Sequence, residues 1–185
     1  MVISEQPITK EAFFDFIQQP ENADHDYELI EGRIVAVVSH GESSASALRI
    51  GGLFTIFLIN HDIGRVTGAD GGYIVNGYPY IPDVAYMSYA RQAEPEYDRG
   101  YNILAPDLAV EVLSPTDGDI TPKVVNYLNA GTVVWVANPA TYVITVYVPG
   151  EKPDTRIIGQ TLSGGDVLPG FSIAVKDAFP DYKSE

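Results

Sequence analysis

The chain has 185 residues, 45% of them apolar and 19% charged, the composition of a folded globular protein rather than a disordered one, and most simply a single domain over residues 1–185. Twenty-five acidic residues against eleven Lys and Arg give a net charge of −14, which argues against a surface built to coat nucleic acid. There is no cysteine, which excludes disulfides and thiolate metal sites, and His25, His40 and His61 lack the His-x-x-x-His spacing of a helical zinc site.

Met1-Val-Ile-Ser-Glu-Gln6 shows no basic start followed by an apolar core, so no signal peptide is expected. No apolar run approaches the ~18–20 residues of a bilayer span. A cytoplasmic protein with no membrane partner is the expectation. Thr9 to Gln19 predicts a short helix capped by Thr9, with an apolar stripe of Ala12, Phe13, Phe16 and Ile17 and a stop at Pro20. Tyr27–Ile30 and Arg33–Val38 predict a hairpin around Glu31-Gly32. Ser43 to His61 predicts a longer helix, with Ala47, Ile50, Phe54, Phe57 and Leu58 on one face. Gly51 and Gly52 interrupt it at ~1 kcal/mol each relative to Ala, a cost that a close backbone approach would explain.

From Gly64 to Ser88 short strands alternate with Gly-rich turns: Arg65–Thr67, Gly72–Val75 and Pro82–Met87. Ala90 to Tyr101 is charged and reads as a surface loop. Asp107 to Leu113 is the most apolar strand, stopped by Ser114-Pro115. Thr121-Pro122 opens a helix, with Thr121 as its cap, and Gly131 closes it. Thr132–Val136 and Tyr142–Val148 follow as strands joined by Asn138-Pro139, and short strands fill the tail as far as Phe179. The order predicts a mixed α/β domain.

One residue breaks the pattern. In the strand Asp107–Leu113, Leu108, Val110 and Val112 face one way, and Ala109, Glu111 and Leu113 the other. Both faces are apolar, so the strand is expected to be central and covered on both sides. A carboxylate there must be paired, protonated or bound to a metal. Asp83, after Pro82, opens a neighbouring strand candidate, and Asp83 and Glu111 can share a cation if those strands pair. Two carboxylates with open water positions suit Mg²⁺. Lys123 lies in the first turn of its helix, where a cation opposes the helix dipole, so an external partner such as a phosphate is expected. Glu28 shares a face with Ile30 and is placed to point inward. Asp107 reads as a strand-opening residue, and Tyr127 and Trp135 as core.

These residues resemble the Uma2-like group of putative endonucleases, a branch of the PD-(D/E)XK restriction-endonuclease-like superfamily. The resemblance runs from about Thr9 to Phe179. It rests on Tyr27-Glu-Leu-Ile-Glu-Gly32, Pro82-Asp-Val84, Pro106-Asp-Leu108 leading to Glu111-Val-Leu-Ser-Pro115, Lys123 followed by Tyr127, Gly131 with Val134-Trp135, and Leu168-Pro-Gly-Phe171. It implies a restriction-endonuclease-like mixed central sheet flanked by helices, with an N-terminal helix and β-hairpin. It implies that Asp83 and Glu111 bind Mg²⁺ (or Mn²⁺), that Glu28 is an auxiliary acid, that Lys123 is the catalytic lysine and that DNA is the partner. The superfamily lysine stands two residues after the acid. Here Leu113 holds that place, and the match to Lys123 comes from the following helix. The family's frequent histidine at the start of the second helix is replaced by Ser43-Ser-Ala-Ser46. A homodimer addressing two strands follows by analogy.

The function expected is therefore metal-dependent hydrolysis of phosphodiester bonds in DNA. Its first rival is a catalytically degenerate binding or regulatory module on the same fold. A second is a glycoside hydrolase using Glu111 and Asp83 as an acid/base pair, which would have no use for Lys123.

Overall fold

The computed structural model describes residues 2–3, 6–22, 24–37, 40–115 and 117–183. Helix α1 (Lys10–Ile17) is capped by Thr9, whose hydroxyl accepts from the Ala12 amide at 3.2 Å, and it buries Phe13 and Phe14. The hairpin β1 (Tyr27–Ile30) and β2 (Arg33–Ala36) turns at Glu31 and Gly32, with φ values of 49° and 76°. This is the left-handed pair that a two-residue hairpin turn needs. Val38, included in the expected hairpin, lies outside the described residues.

Helix α2 (Gly41–Asn60) begins two residues earlier than expected, after His40. Its inner face of Ala47, Ile50 and Phe54 packs into the main core. Averaged over a helix length, α2 reaches a mean hydropathy of 1.2, long and apolar enough to cross a membrane by length and composition. That corrects the expectation that no segment does: Ser, Thr and Arg break every contiguous run, but the mean stays high. Neither Gly51 nor Gly52 is needed for space. A Cβ on Gly51 would meet Val84 at an ordinary 3.6 Å, and one on Gly52 would meet nothing.

The strands that follow are β3 (Gly64–Thr67), β4 (Gly72–Val75), β5 (Tyr78–Tyr80), β6 (Val84–Ser88), β7 (Tyr97–Asp98), β8 (Tyr101–Asn102) and β9 (Leu108–Val112). Helix α3 (Thr121–Asn129) then leads to β10 (Val133–Asn138), β11 (Val143–Tyr147), β12 (Asp154–Arg156), β13 (Thr161–Ser163) and β14 (Ser172–Ala174). The main sheet has the order β12-β11-β10-β9-β6-β3. Only β9 and β10 run parallel in it; the other neighbours are antiparallel. β9 is interior in this sheet and buried at every residue, as its double apolar face requires.

The two faces of β9 feed different cores. Leu108, Val110 and Val112 join Trp135, Phe54 and Phe171 under α2. Ala109 joins Val124 and Tyr127 of α3, with Tyr73, Val75 and Tyr80 of a second sheet ordered β5-β4-β8-β7. A third cluster joins α1 to the β1–β2 hairpin, Ile81 and Tyr101.

Three sequence expectations need correction. β5 was not expected, although it follows β4 across Asn76-Gly77 with φ values of 49° and 87°. The stretch read as a charged surface loop holds β7, the start of β8, and the buried Gln92 and Tyr101. Gln92 exchanges two hydrogen bonds with Asn102, at 3.1 and 2.6 Å. At α3, the residue in the cap position is Ile120, and Asp119 accepts from the Thr121 amide instead. Gly131, at φ 77°, closes α3 as expected. The Thr132 amide reaches the Tyr127 carbonyl and the Gly131 amide reaches that of Leu128, a Schellman ending.

Candidate active site

Antiparallel pairing of β6 with β9 matches Val84 to Val110, and one further step of that register sets Asp83 beside Glu111. Asp83 immediately precedes β6 rather than lying within it. Its Oδ2 accepts the Val112 amide at 2.7 Å, which fixes the carboxylate at the C-terminal end of β9. The two acids thus reach one end of the sheet from neighbouring strands.

Lys123 enters from α3 on the same face. Its Nζ donates to Glu111 Oε2 at 2.9 Å and to Glu28 Oε1 at 2.6 Å. Glu28, Glu111 and Lys123 are 6%, 5% and 6% exposed, so this is a buried triad. Glu28 is delivered by β1, packed beside β5, and its Oε1 also accepts the Ile81 amide at 2.6 Å. Tyr127 lies one helical turn beyond Lys123 and donates its hydroxyl to Glu111 Oε1 at 2.8 Å. The Tyr80 ring stands 5.6 Å from the Lys123 ammonium, a cation–π contact. Asn126 holds Tyr80 in place by donating to its hydroxyl at 3.2 Å and to the Val75 carbonyl at 3.0 Å.

Charge explains the titration behaviour. Burial lifts Glu111 above the carboxylate range to about 8; Lys123 opposes that rise, and Glu28 and Asp83 add to it. Burial raises Asp83 as well, against its bond to the Val112 amide and the attraction of Lys123. For Lys123, burial works against the charge, but Glu111 and Glu28 outweigh it and hold the group well above its ordinary value. Lys123 is therefore an ammonium at neutral pH. Tyr127 is also raised, by burial and by Glu111, and stays a donor.

The donor set can be tested against a divalent ion. Glu28 and Glu111 pair with the Lys123 ammonium and Asp83 stands beside Glu111; with all three carboxyl groups ionised they leave a formal excess of two negative charges that a dication would balance. Both Glu111 oxygens already accept a hydrogen bond, yet each keeps a second lone pair. Asp83 is half-buried and the most exposed of the four, so solvent reaches the cluster on its side. Among the described residues no three His, Asp or Glu side chains form a cage for a metal. Mg²⁺ does not need one, since it keeps several waters and takes one or two carboxylates. The residues fit such an ion, which Asp83 and Glu111 would hold.

Other candidates fall outside the cluster. Asp107 binds Arg91 Nε at 2.9 Å and accepts the Ser88 amide at 2.7 Å, as a strand-opening residue would. Ser43, where a histidine was looked for, donates to the Leu113 carbonyl at 2.9 Å and so ties α2 to the end of β9. His40 takes the cap position of α2, and nothing in the structure explains why its buried Nδ1 has no partner among the described residues. Clefts of about 220 and 440 Å³ lie elsewhere, the first around Ser46 and Tyr142, the second around Arg65 and Tyr89.

The Uma2 family model, described as "Putative restriction endonuclease", matches residues 13–176. The chain belongs to the Uma2 family. A crystal structure of "a putative nuclease belonging to DUF820" from Anabaena variabilis superposes with a TM-score of 0.78. It is 22% identical, and the match covers 94% of this chain and 98% of that one. At that identity the likeness shows the fold, which is restriction-endonuclease-like. No curated protein matches the chain.

Within this Uma2 fold, all four residues chosen from sequence come to one end of the sheet. Sequence reasoning missed Tyr80 and Asn126, and took Tyr127 for core packing alone. The spacing from Lys123 to Tyr127 was a usable signal, since residues four apart on a helix share a face. Lys123 was expected to seek a partner beyond the chain, and it instead bridges Glu28 and Glu111.

Proposed function

We propose that the protein is a nuclease that hydrolyses phosphodiester bonds in DNA, with Mg²⁺ or Mn²⁺ held by Asp83 and Glu111. The observation that carries this reading is the charge imbalance: three carboxylates set against one buried ammonium. When bound, the ion would supply Lewis-acid charge at the phosphate. Lys123 stays protonated, so it cannot take a proton from water. Its role is to donate hydrogen bonds, orienting the attacking water and offsetting negative charge that builds on the phosphoryl oxygens. Glu28 holds that ammonium in place from β1. Tyr127 fixes the Glu111 carboxylate from α3. Hydrolysis joins the water oxygen to phosphorus as the P–O ester bond breaks, and the leaving oxygen takes up a proton from solvent to depart as a hydroxyl.

One observation favours a second reading, a binding or regulatory module that does not cut. Glu111 is already bonded at both oxygens, by Lys123 and Tyr127. Cleavage of supercoiled plasmid and of single-stranded DNA separates the two. Wild type should cut with Mg²⁺ or Mn²⁺ and not with chelator, while Glu111→Gln should fold and fail to cut. No cleavage by folded wild type under any metal would favour the module. Cleavage in chelator, or equal cleavage by Glu111→Gln, would overturn the mechanism.

A further inference from the structure

Helix α2 carries an apolar face that nothing among the described residues covers. Leu48, Ile56 and Ile59 are 78%, 64% and 76% exposed. With Gly52 between them they are spaced four, four and three residues apart, one stripe along a helix ~30 Å long. Only Glu42 and Arg49 of its twenty residues carry a charge. An exposed patch of this kind marks a contact site.

We propose that α2 is the contact face of a homodimer, in which the α2 helices of two copies cross at Gly52 about a two-fold axis. Three features favour a second copy. Gly52 has open space where a Cβ would stand, so the helices can approach closely at that point. Leu48 and Ile56 lie four residues either side of it, so a two-fold crossing sets Leu48 of one copy against the partner's Ile56, as a self-complementary interface requires. A net charge of −14 opposes self-association over most of the surface, so two copies would meet on a face poor in acids, and α2 carries Glu42 alone. The same charge weighs against a lipid surface: helices lying on anionic membranes carry a rim of Lys and Arg, and α2 offers Arg49 alone. One helix face per copy places the contact at the small end of interfaces, below about 1,200 Å², so the dimer is reversible.

The geometry has a consequence for the site. α2 packs over the Leu108–Val110–Val112 face of β9, whereas Glu111 and Lys123 lie on the opposite face with α3. A dimer through α2 leaves both carboxylate clusters turned outward and unobstructed. The two sites do not converge on one point.

Sedimentation equilibrium of the full chain across a concentration series tests the proposal independently of any nuclease activity. Wild type should pass from monomer to dimer as concentration rises, with a dissociation constant on the order of micromolar for a contact of this size. Leu48→Glu and Ile59→Lys should abolish the dimer. Gly52→Gln, whose side chain enters open space in the monomer, should weaken it at least ~10-fold with circular dichroism and melting temperature retained. A wild-type chain that stays monomeric throughout, or a dimer equally strong in all three variants, overturns the proposal. Co-sedimentation of a monomeric wild type with phosphatidylcholine–phosphatidylserine vesicles would overturn it in favour of a lipid surface.

Discussion

The two faces of β9 make opposite demands on one five-residue strand. Under α2, Leu108, Val110 and Val112 pack against hydrocarbon and aromatic rings. Under α3, Glu111 meets Lys123 and Tyr127, with Glu28 bound to the same ammonium. The alternation of strand side chains allows this division, since neighbouring residues point to opposite sides. The apolar face fixes the strand and its register, and that rigidity lets the polar face hold charges at fixed positions. A buried ion cluster is a poor source of stability, because desolvation offsets most of the attraction. The apolar side is the one that holds the fold together.

That division can be broken from either side. The largest effect is expected from Lys123→Ala, which leaves Glu111 and Glu28 buried together without their cation and should cost about 3–5 kcal/mol in urea unfolding. Lys123→Ala should also regain stability at acid pH, where the acids take up protons. Leu108→Ala, on the other face, should cost about 2–5 kcal/mol through its cavity. Cleavage per folded molecule should survive Leu108→Ala, so loss of activity at full folding would show that the two faces are not separable.

Tyr127→Phe comes next. It strips one charge-directed hydrogen bond from Glu111, worth about 1.5–3 kcal/mol. The expected readout is weaker metal binding, by about 10–100-fold, with the melting temperature lowered by about 3–12 °C. A fourth test uses pH. Glu111 is pushed up to about 8 by burial, so below that pH a metal must compete with a proton for it, and the full three-carboxylate charge is present only above it. The folded value lies above the unfolded one, so this group's stabilising contribution is lost as pH rises from the ordinary carboxylate value through about 8. Bound metal should restore the loss, and the metal affinity should climb with pH and level off above that window. Calorimetry in two buffers of different ionisation enthalpy would detect the released protons; identical heats would argue against a raised Glu111. The smallest effect is a gain: Gly52→Ala removes a helix-breaking residue from open space and should stabilise α2 by about 1 kcal/mol.

Glu111 was legible in the sequence because a carboxylate in an apolar strand is costly enough to demand a reason. Asp83 was legible because Pro82 marks a strand opening, and Glu28 because it shares a strand face with Ile30. What joins them was not legible. The Glu28–Lys123 bond depends on how the β1–β2 hairpin packs beside β5, and no local pattern encodes that contact. β5 itself carried a strong signal in Asn76-Gly77 between Val75 and Tyr78, the composition of a two-residue hairpin turn. Tyr101 was read as exposed from its charged surroundings, but Arg99 and Gly100 with positive φ turn the chain back and bury it against Phe14. Composition reports the average of a segment, and burial is decided residue by residue.

Titration of metal-free protein with Mg²⁺ and Mn²⁺, followed by calorimetry, addresses the central claim most directly. The account predicts a saturable site in wild type that is lost in both Asp83→Asn and Glu111→Gln while each variant keeps its fold. Saturable binding that survives intact in both variants would place the metal elsewhere and contradict it.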